Sequence, residues 1–169
     1  ILSERNASAP LATGVGSADL SNAPEYSLLN ARTGEAPLFP TSFKIGWDDG
    51  VLLLEVTCKE PDMGNLSTSD PVYEGDYVAV ALETPLYSYY LMHISPDGKI
   101  LEGNPATGDW SSLAEIKTEK GADFWKLNIR FPVVGAAEAE ADPNHRVAGE
   151  KPTAEKPWFF MVGRNRVRG

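Results

Sequence analysis

A strict two-residue alternation runs through residues 124–131 of the chain. Trp125, Leu127, Ile129 and Phe131 share one parity, and Lys126, Asn128 and Arg130 share the other. Successive side chains of a strand point to opposite faces, so this pattern buries one face and wets the other. The same period returns in Phe43, Ile45 and Trp47, in Leu52, Leu54, Val56 and Cys58, and in Val78, Val80 and Leu82. It returns again in Tyr90, Met92 and Ile94, and in Ala114 and Ile116. Turn-forming residues separate the runs at Asp48-Asp49-Gly50, Pro96-Asp97-Gly98 and Lys120-Gly121-Ala122. No segment keeps a helical period, although residues 135–141 predict one or two helical turns. Trp158 to Gly163 forms a last apolar run. Many short strands with turns between them predict an all-β chain. The expected architecture is a two-sheet antiparallel β-sandwich, immunoglobulin-like or jelly-roll-like, with at most short helical turns.

The 169 residues suffice for one domain with a full core. Residues 1–25, rich in Ser, Ala, Gly, Asn and Pro, read as an extended leader or linker, leaving 26–169 as a single sandwich. Residues 142–157 carry three prolines and read as a long loop. The first residue is Ile1, which suggests a processed or excised segment. A single cysteine, Cys58, excludes an internal disulfide framework and cysteine-rich zinc sites. The formal net charge of −9 argues against nucleic acid or an anionic membrane as partner. No apolar run approaches the roughly 18 residues of a spanning helix, so no membrane insertion is expected. Neutral sugars and divalent cations remain compatible with that charge.

Among the motifs that carry chemistry, the chain has no phosphate loop, no nucleophile elbow and no histidine pair at metal spacing, so it is not expected to be an enzyme. The aromatics say more. Trp47 and Trp125 follow the parity of aliphatic neighbours and belong to the core, while Trp158 is core or rim. Trp110 lies in the loop 103–112, where it either caps the sandwich or stands out as a platform for a sugar ring. Opposite the buried parity lie Tyr77, Ala79 and Ala81 on one strand, and Tyr89, Leu91 and His93 on another. A solvated face normally carries Lys, Glu or Thr. This one is small in the middle and aromatic at its edges, as a shallow cleft would be, unless the loop 142–157 packs over it. Acidic residues gather in loops, and Glu60, Asp62 and Asp76 are candidates for a structural calcium, or are ordinary solvated carboxylates. At the end of the chain Arg164, Arg166 and Arg168 alternate; Arg164, nearest the last strand, is the one expected to be partnered.

Several ordered marks carry a resemblance. They are Asp19-Leu20 with Ala23-Pro24, Phe43-Lys44-Ile45-Gly46-Trp47-Asp48, Glu60-Pro61-Asp62, and Val72-Tyr73-Glu74-Gly75-Asp76-Tyr77-Val78. Then come Tyr89-Tyr90, Pro96-Asp97-Gly98, Trp125-Lys126-Leu127-Asn128-Ile129, and Trp158 followed six residues on by Arg164. From about Ala18 to Arg166 the chain resembles the family 9 carbohydrate-binding modules and, more broadly, DOMON-like sandwich domains. The resemblance implies a secreted, periplasmic or cell-surface module appended to polysaccharide-active enzymes. Such a module holds a terminal sugar between two aromatic rings, with calcium supporting its loops. Carried over by position, Tyr73 takes the place of a frequent tryptophan. Ala79 stands where a carboxylate is common, and Met161 or a neighbour stands where an asparagine is common. The family's closing strand would follow beyond Gly169.

The expectation is therefore a non-catalytic carbohydrate-binding module whose partner is a saccharide or polysaccharide. Tyr73 and Trp110 would stack on the sugar, Arg164 and His93 would hydrogen-bond to it, and Tyr89 would stand beside them. Two alternatives belong to other classes. One is a structural accessory domain packed on a neighbouring catalytic domain. The other, drawn from the DOMON-like resemblance, is haem held between Met63 and His93, which requires the two side chains to converge.

Overall fold

The computed structural model describes residues 20–87, 90–103, 110–142 and 146–167. Its strands are β1 (Tyr26–Ser27), β2 (Thr41–Asp48), β3 (Val51–Lys59), β4 (Tyr77–Glu83), β5 (Tyr90–Ile94), β6 (Ile100–Gly103), β7 (Glu115–Lys120), β8 (Phe124–Pro132) and β9 (Phe159–Asn165). A four-residue helix, α1 (Ala136–Ala139), and two single 3-10 turns complete the regular structure. The strands form two antiparallel sheets, one ordered β1-β2-β3-β8-β7 and the other β6-β5-β4-β9. The expected all-β sandwich is thus present, and residues 135–141 do supply one helical turn.

The β2–β3 hairpin turns where the acidic-Gly signal predicts it. Asp48 pairs with Val51, leaving a two-residue loop. Asp49 and Gly50 both have positive φ, 39° and 80°. That is the primed turn whose twist matches the flanking strands, and Gly50 adopts it without a Cβ penalty.

Parity then sorts the two faces of each sheet. Leu52, Leu54, Val56 and Cys58 of β3 pair with Phe131, Ile129, Leu127 and Trp125 of β8, all of them buried. Facing them across the interior are Val78, Val80 and Leu82 of β4 with Tyr90, Met92 and Ile94 of β5. Trp47 and Trp158 meet edge to face at 5.4 Å, so Trp158 belongs to the core. The outward face of the five-stranded sheet is ionic. Lys44, Lys59, Lys126, Lys117 and Arg130 stand there with Asp48, Glu55, Glu115 and Glu119. Leu20 and Ala23, within the segment read as a leader, pack on Leu53 of this face.

Each end of the sandwich is closed differently. At one end the loop after α1 enters the interior. Val147 is fully buried, Ala148 forms a parallel bridge with Val134, and the Ala148 N–H donates to the Tyr90 hydroxyl. Thr84 Oγ1 donates to the Ala148 carbonyl, and Trp158 Nε1 donates to that of Glu150. This loop therefore plugs an end instead of covering an outer face. At the other end sits Glu60, whose side chain has no solvent exposure. Arg164 Nη2 donates to Glu60 Oε2 at 3.0 Å, and Arg166 Nε donates to the same oxygen at 2.8 Å. Arg164 Nη1 also donates to the Lys59 carbonyl at 2.7 Å. Beneath them lies Cys58, whose thiol burial pushes up to about 12. A thiolate is the reactive form. An aromatic disulfide reagent at neutral pH should therefore leave Cys58 untouched in the native chain and label it fully in urea. Rapid stoichiometric labelling of the native chain would contradict this packing.

Candidate functional site

The outward face of the four-stranded sheet contrasts with its ionic counterpart. Register sets its side chains in rows. His93 lies opposite Ala79 and Ala79 opposite Gly163; in the next row Leu91, Ala81 and Met161 align. Ala79, Ala81 and Gly163 make a low strip across β4 and β9. Larger groups rise around it: Tyr77 at one end, Phe159 at the other, and Leu101 of β6 beside His93. Phe159 is 50% exposed and Leu101 39%. Neither Lys nor Arg points outward from β4, β5, β6 or β9.

Tyr77 itself is buried because two neighbours cover it. Its ring lies 4.6 Å from the His93 ring, tilted by 41°. Val72, from the 3-10 turn Val72–Glu74, packs on Tyr77 and Ala79. That turn lies against β5 and β6, and it carries Tyr73 into solvent with 53% of its surface exposed. Partial burial lowers the His93 pKa, which favours the neutral imidazole. A neutral imidazole offers one donor and one acceptor. Asn165, opposite Tyr77, donates through Nδ2 to the Gly75 carbonyl at 3.1 Å, which holds β9 to the turn.

The residues expected from sequence to meet a sugar fall in different parts of the fold. His93 stands on this face, Tyr73 stands on the turn that lies against β5 and β6, and Tyr89 lies outside the described residues. Trp110 does not belong to this face. It is 9% exposed and sits in the main core with its ring 4.9 Å from that of Tyr90. The residues that follow are drawn inward: Ser112 is fully buried, and its N–H and hydroxyl both donate to Glu102 Oε1. Short β6 leaves interior space that a large apolar ring fills, so Trp110 caps the sandwich. Arg164 is also corrected. Its side chain is 6% exposed, and its donors serve Glu60, Thr41 and the Phe39 and Lys59 carbonyls. A guanidinium so engaged holds the sheets together and is not free to reach a sugar.

The three carboxylates proposed for calcium are also engaged in protein contacts. Glu60 is held by two arginines, and Asp76 accepts the N–H groups of Ser67 and Val167. Asp62 accepts from Asn65 Nδ2. Among the described residues, no group of three or more His, Cys, Asp or Glu is placed to hold a metal ion. Met63 packs against the interior while His93 stands on the outer face, so the pair does not converge on one haem. Sequence reading missed Phe159, Met161 and Leu101 as parts of the face. The parity of β9 carried a signal for the first two, masked because apolar residues occupy both parities there.

Two antiparallel sheets in this order make the chain a β-sandwich, and the outward face of its four-stranded sheet carries one charged side chain, the exposed Glu83 opposite Phe159. The chain is similar to a family 9 carbohydrate-binding module from Caldicellulosiruptor kristjanssonii in complex with cellotriose, with a TM-score of 0.56 and 18% identity over 78% of this chain and 60% of that one. It is also similar to a family 9 module from the same organism in complex with glucose, with a TM-score of 0.50 and 16% identity over 78% of this chain and 67% of that one. At these identities the likeness is one of fold, and this chain spans 60% of the length of the first. No family model matches the sequence. Nor does any curated protein match it.

Proposed function

We propose that the chain is a non-catalytic carbohydrate-binding module that takes a neutral sugar on the outward face of its four-stranded sheet. The observation that carries this reading is the strip of small residues Ala79, Ala81 and Gly163 with no outward Lys or Arg, flanked by the half-buried His93 and by the turn against β5 and β6 that exposes Tyr73. A pyranose has an apolar C–H face and a rim of hydroxyls. The first suits a low floor and an aromatic ring; the second suits groups that both donate and accept, here the Tyr73 hydroxyl and the His93 imidazole. The family 9 modules of like fold, solved with cellotriose and with glucose, support the choice of ligand class. Attachment to a polysaccharide-active enzyme outside the cell belongs to the same proposal.

The test is an NMR titration with cellotriose and glucose. Tyr73→Ala should weaken binding about fivefold to tenfold, the worth of one stacked ring, and leave the unfolding midpoint within error. Chemical shifts elsewhere with this face silent would refute the assignment. Absence of binding to any neutral glycan would leave contact with a neighbouring domain as the use of this surface.

A further inference from the structure

The outward face of the five-stranded sheet carries a groove that the saccharide face does not use. It lies over β3, β8 and β7 and has a volume of about 560 Å³, within the range of pockets that hold small ligands. Leu20 and Leu53 form its apolar part, where the chain near residue 20 packs down on the sheet. Register aligns Glu55, Asn128 and Lys117 in one row across three strands, and Leu53, Arg130 and Glu115 in the next. All of these residues line the groove.

What is already engaged narrows the ligand. Glu55 is 3.6 Å from Lys126. Arg130 reaches Glu115 only at 3.9 Å, and the Glu115 side chain is 75% exposed. A long, solvated ion pair of this kind contributes little, so Arg130 can turn to a better acceptor at small cost. The Asn128 amide and the Lys117 ammonium have no side-chain hydrogen bond or ion pair among the described residues. Three donors thus converge from adjacent rows, two of them cationic, on a chain whose net charge is −9. They call for a ligand rich in acceptor oxygens and carrying negative charge. Two carboxylates in the same lining disfavour a densely charged phosphate. They suit instead a ligand with hydroxyls to donate.

We propose that this groove is a second binding site, for a short oligosaccharide bearing uronic-acid carboxylates, and that it acts independently of the Tyr73 face. Lys117 and Arg130 meet the carboxylate. The Asn128 amide and the Glu55 carboxylate meet ring hydroxyls, and Leu53 with Leu20 lies against ring C–H groups.

The test is an amide NMR titration of the whole chain with trigalacturonate, and in parallel with cellotriose. Trigalacturonate should shift the amides of Glu55, Lys117 and Asn128, and the response should weaken when salt rises from about 50 mM to about 500 mM. Lys117→Glu should weaken binding about tenfold or more, the scale of one charge-assisted hydrogen bond, and Asn128→Ala about fivefold, the scale of a neutral one. Tyr73→Ala should leave it unchanged, so the failure of one face is separable from that of the other. Silence of these amides at millimolar trigalacturonate would overturn the proposal, as would shifts confined to the Tyr73 face or undiminished binding in both groove variants. Equal shifts at these amides with cellotriose would overturn the uronic-acid class.

Discussion

Glu60→Gln is expected to destabilise the domain by about 3–5 kcal/mol, the range found when one partner of a buried ion pair is removed. The carboxylate is fully buried and meets two guanidiniums, those of Arg164 at 6% and Arg166 at 15% side-chain exposure. An amide of the same shape keeps one acceptor oxygen and turns an N–H₂ group toward two donors. Arg164 then stays in the protein interior without its carboxylate, and Arg166 keeps only the weaker pull of Asp76 and Asp62. Arg164 has no easy escape, because it is bound to the Lys59 carbonyl and lies over the Trp125 ring at 5.9 Å. Arg166 can partly reach solvent, and the Phe39 ring beneath it gives it a second resting place at 4.3 Å. Urea unfolding followed by tryptophan fluorescence measures the effect as a shift in midpoint at constant slope. A domain of ordinary stability, about 5–15 kcal/mol, loses about a fifth of its margin or more. A change below about 1 kcal/mol would mean that the cluster is already hydrated and not a structural lock.

Trp125→Ala should be of the same size, about 3–5 kcal/mol, for a different reason. Its side chain is fully buried at the start of β8, between the β3 partner Cys58 and the arginine clasp. Deleting the indole removes apolar area and leaves a cavity that strands held in register on both sides cannot collapse to fill. Trp110→Ala provides the comparison. Because Trp110 packs on Tyr90 inside the main core, it too should lower stability, by about 2–4 kcal/mol. A Trp110 variant with unchanged midpoint but impaired sugar binding would restore the exposed-platform reading and reject the packing described for that residue.

These three residues also mark what the chain discloses unaided. The place of Trp125 follows from local alternation, since parity within one strand decides which way a side chain points. Trp110 has no such local rule. It sits in a loop, and its burial depends on how far the loop folds back over the short β6, a matter of tertiary closure. Arg164 is an intermediate case. It shares parity with Val162 and pairs with Val78, which puts it inside. An inward arginine needs a buried anion, but that anion stands 104 positions earlier. Nothing local distinguishes Glu60 from the other acidic residues in loops. The proposed sugar face is legible as a low strip with aromatic edges on β4 and β5. Its far side, on β9, was not, because Phe159, Phe160, Met161 and Val162 make a continuous apolar run with no evident inside or outside.

The floor of that strip consists of Ala79, Ala81 and Gly163, whose contribution is the carbon they lack. Relief on such a surface is written in single methyl groups, so one added branch at any of the three raises the bed under a bound ring and tilts it against its neighbours. Under the proposed function, ligand preference is therefore open to drift by substitutions that touch neither Tyr73 nor the clasp holding the sheets, a quiet evolutionary route from one sugar to another.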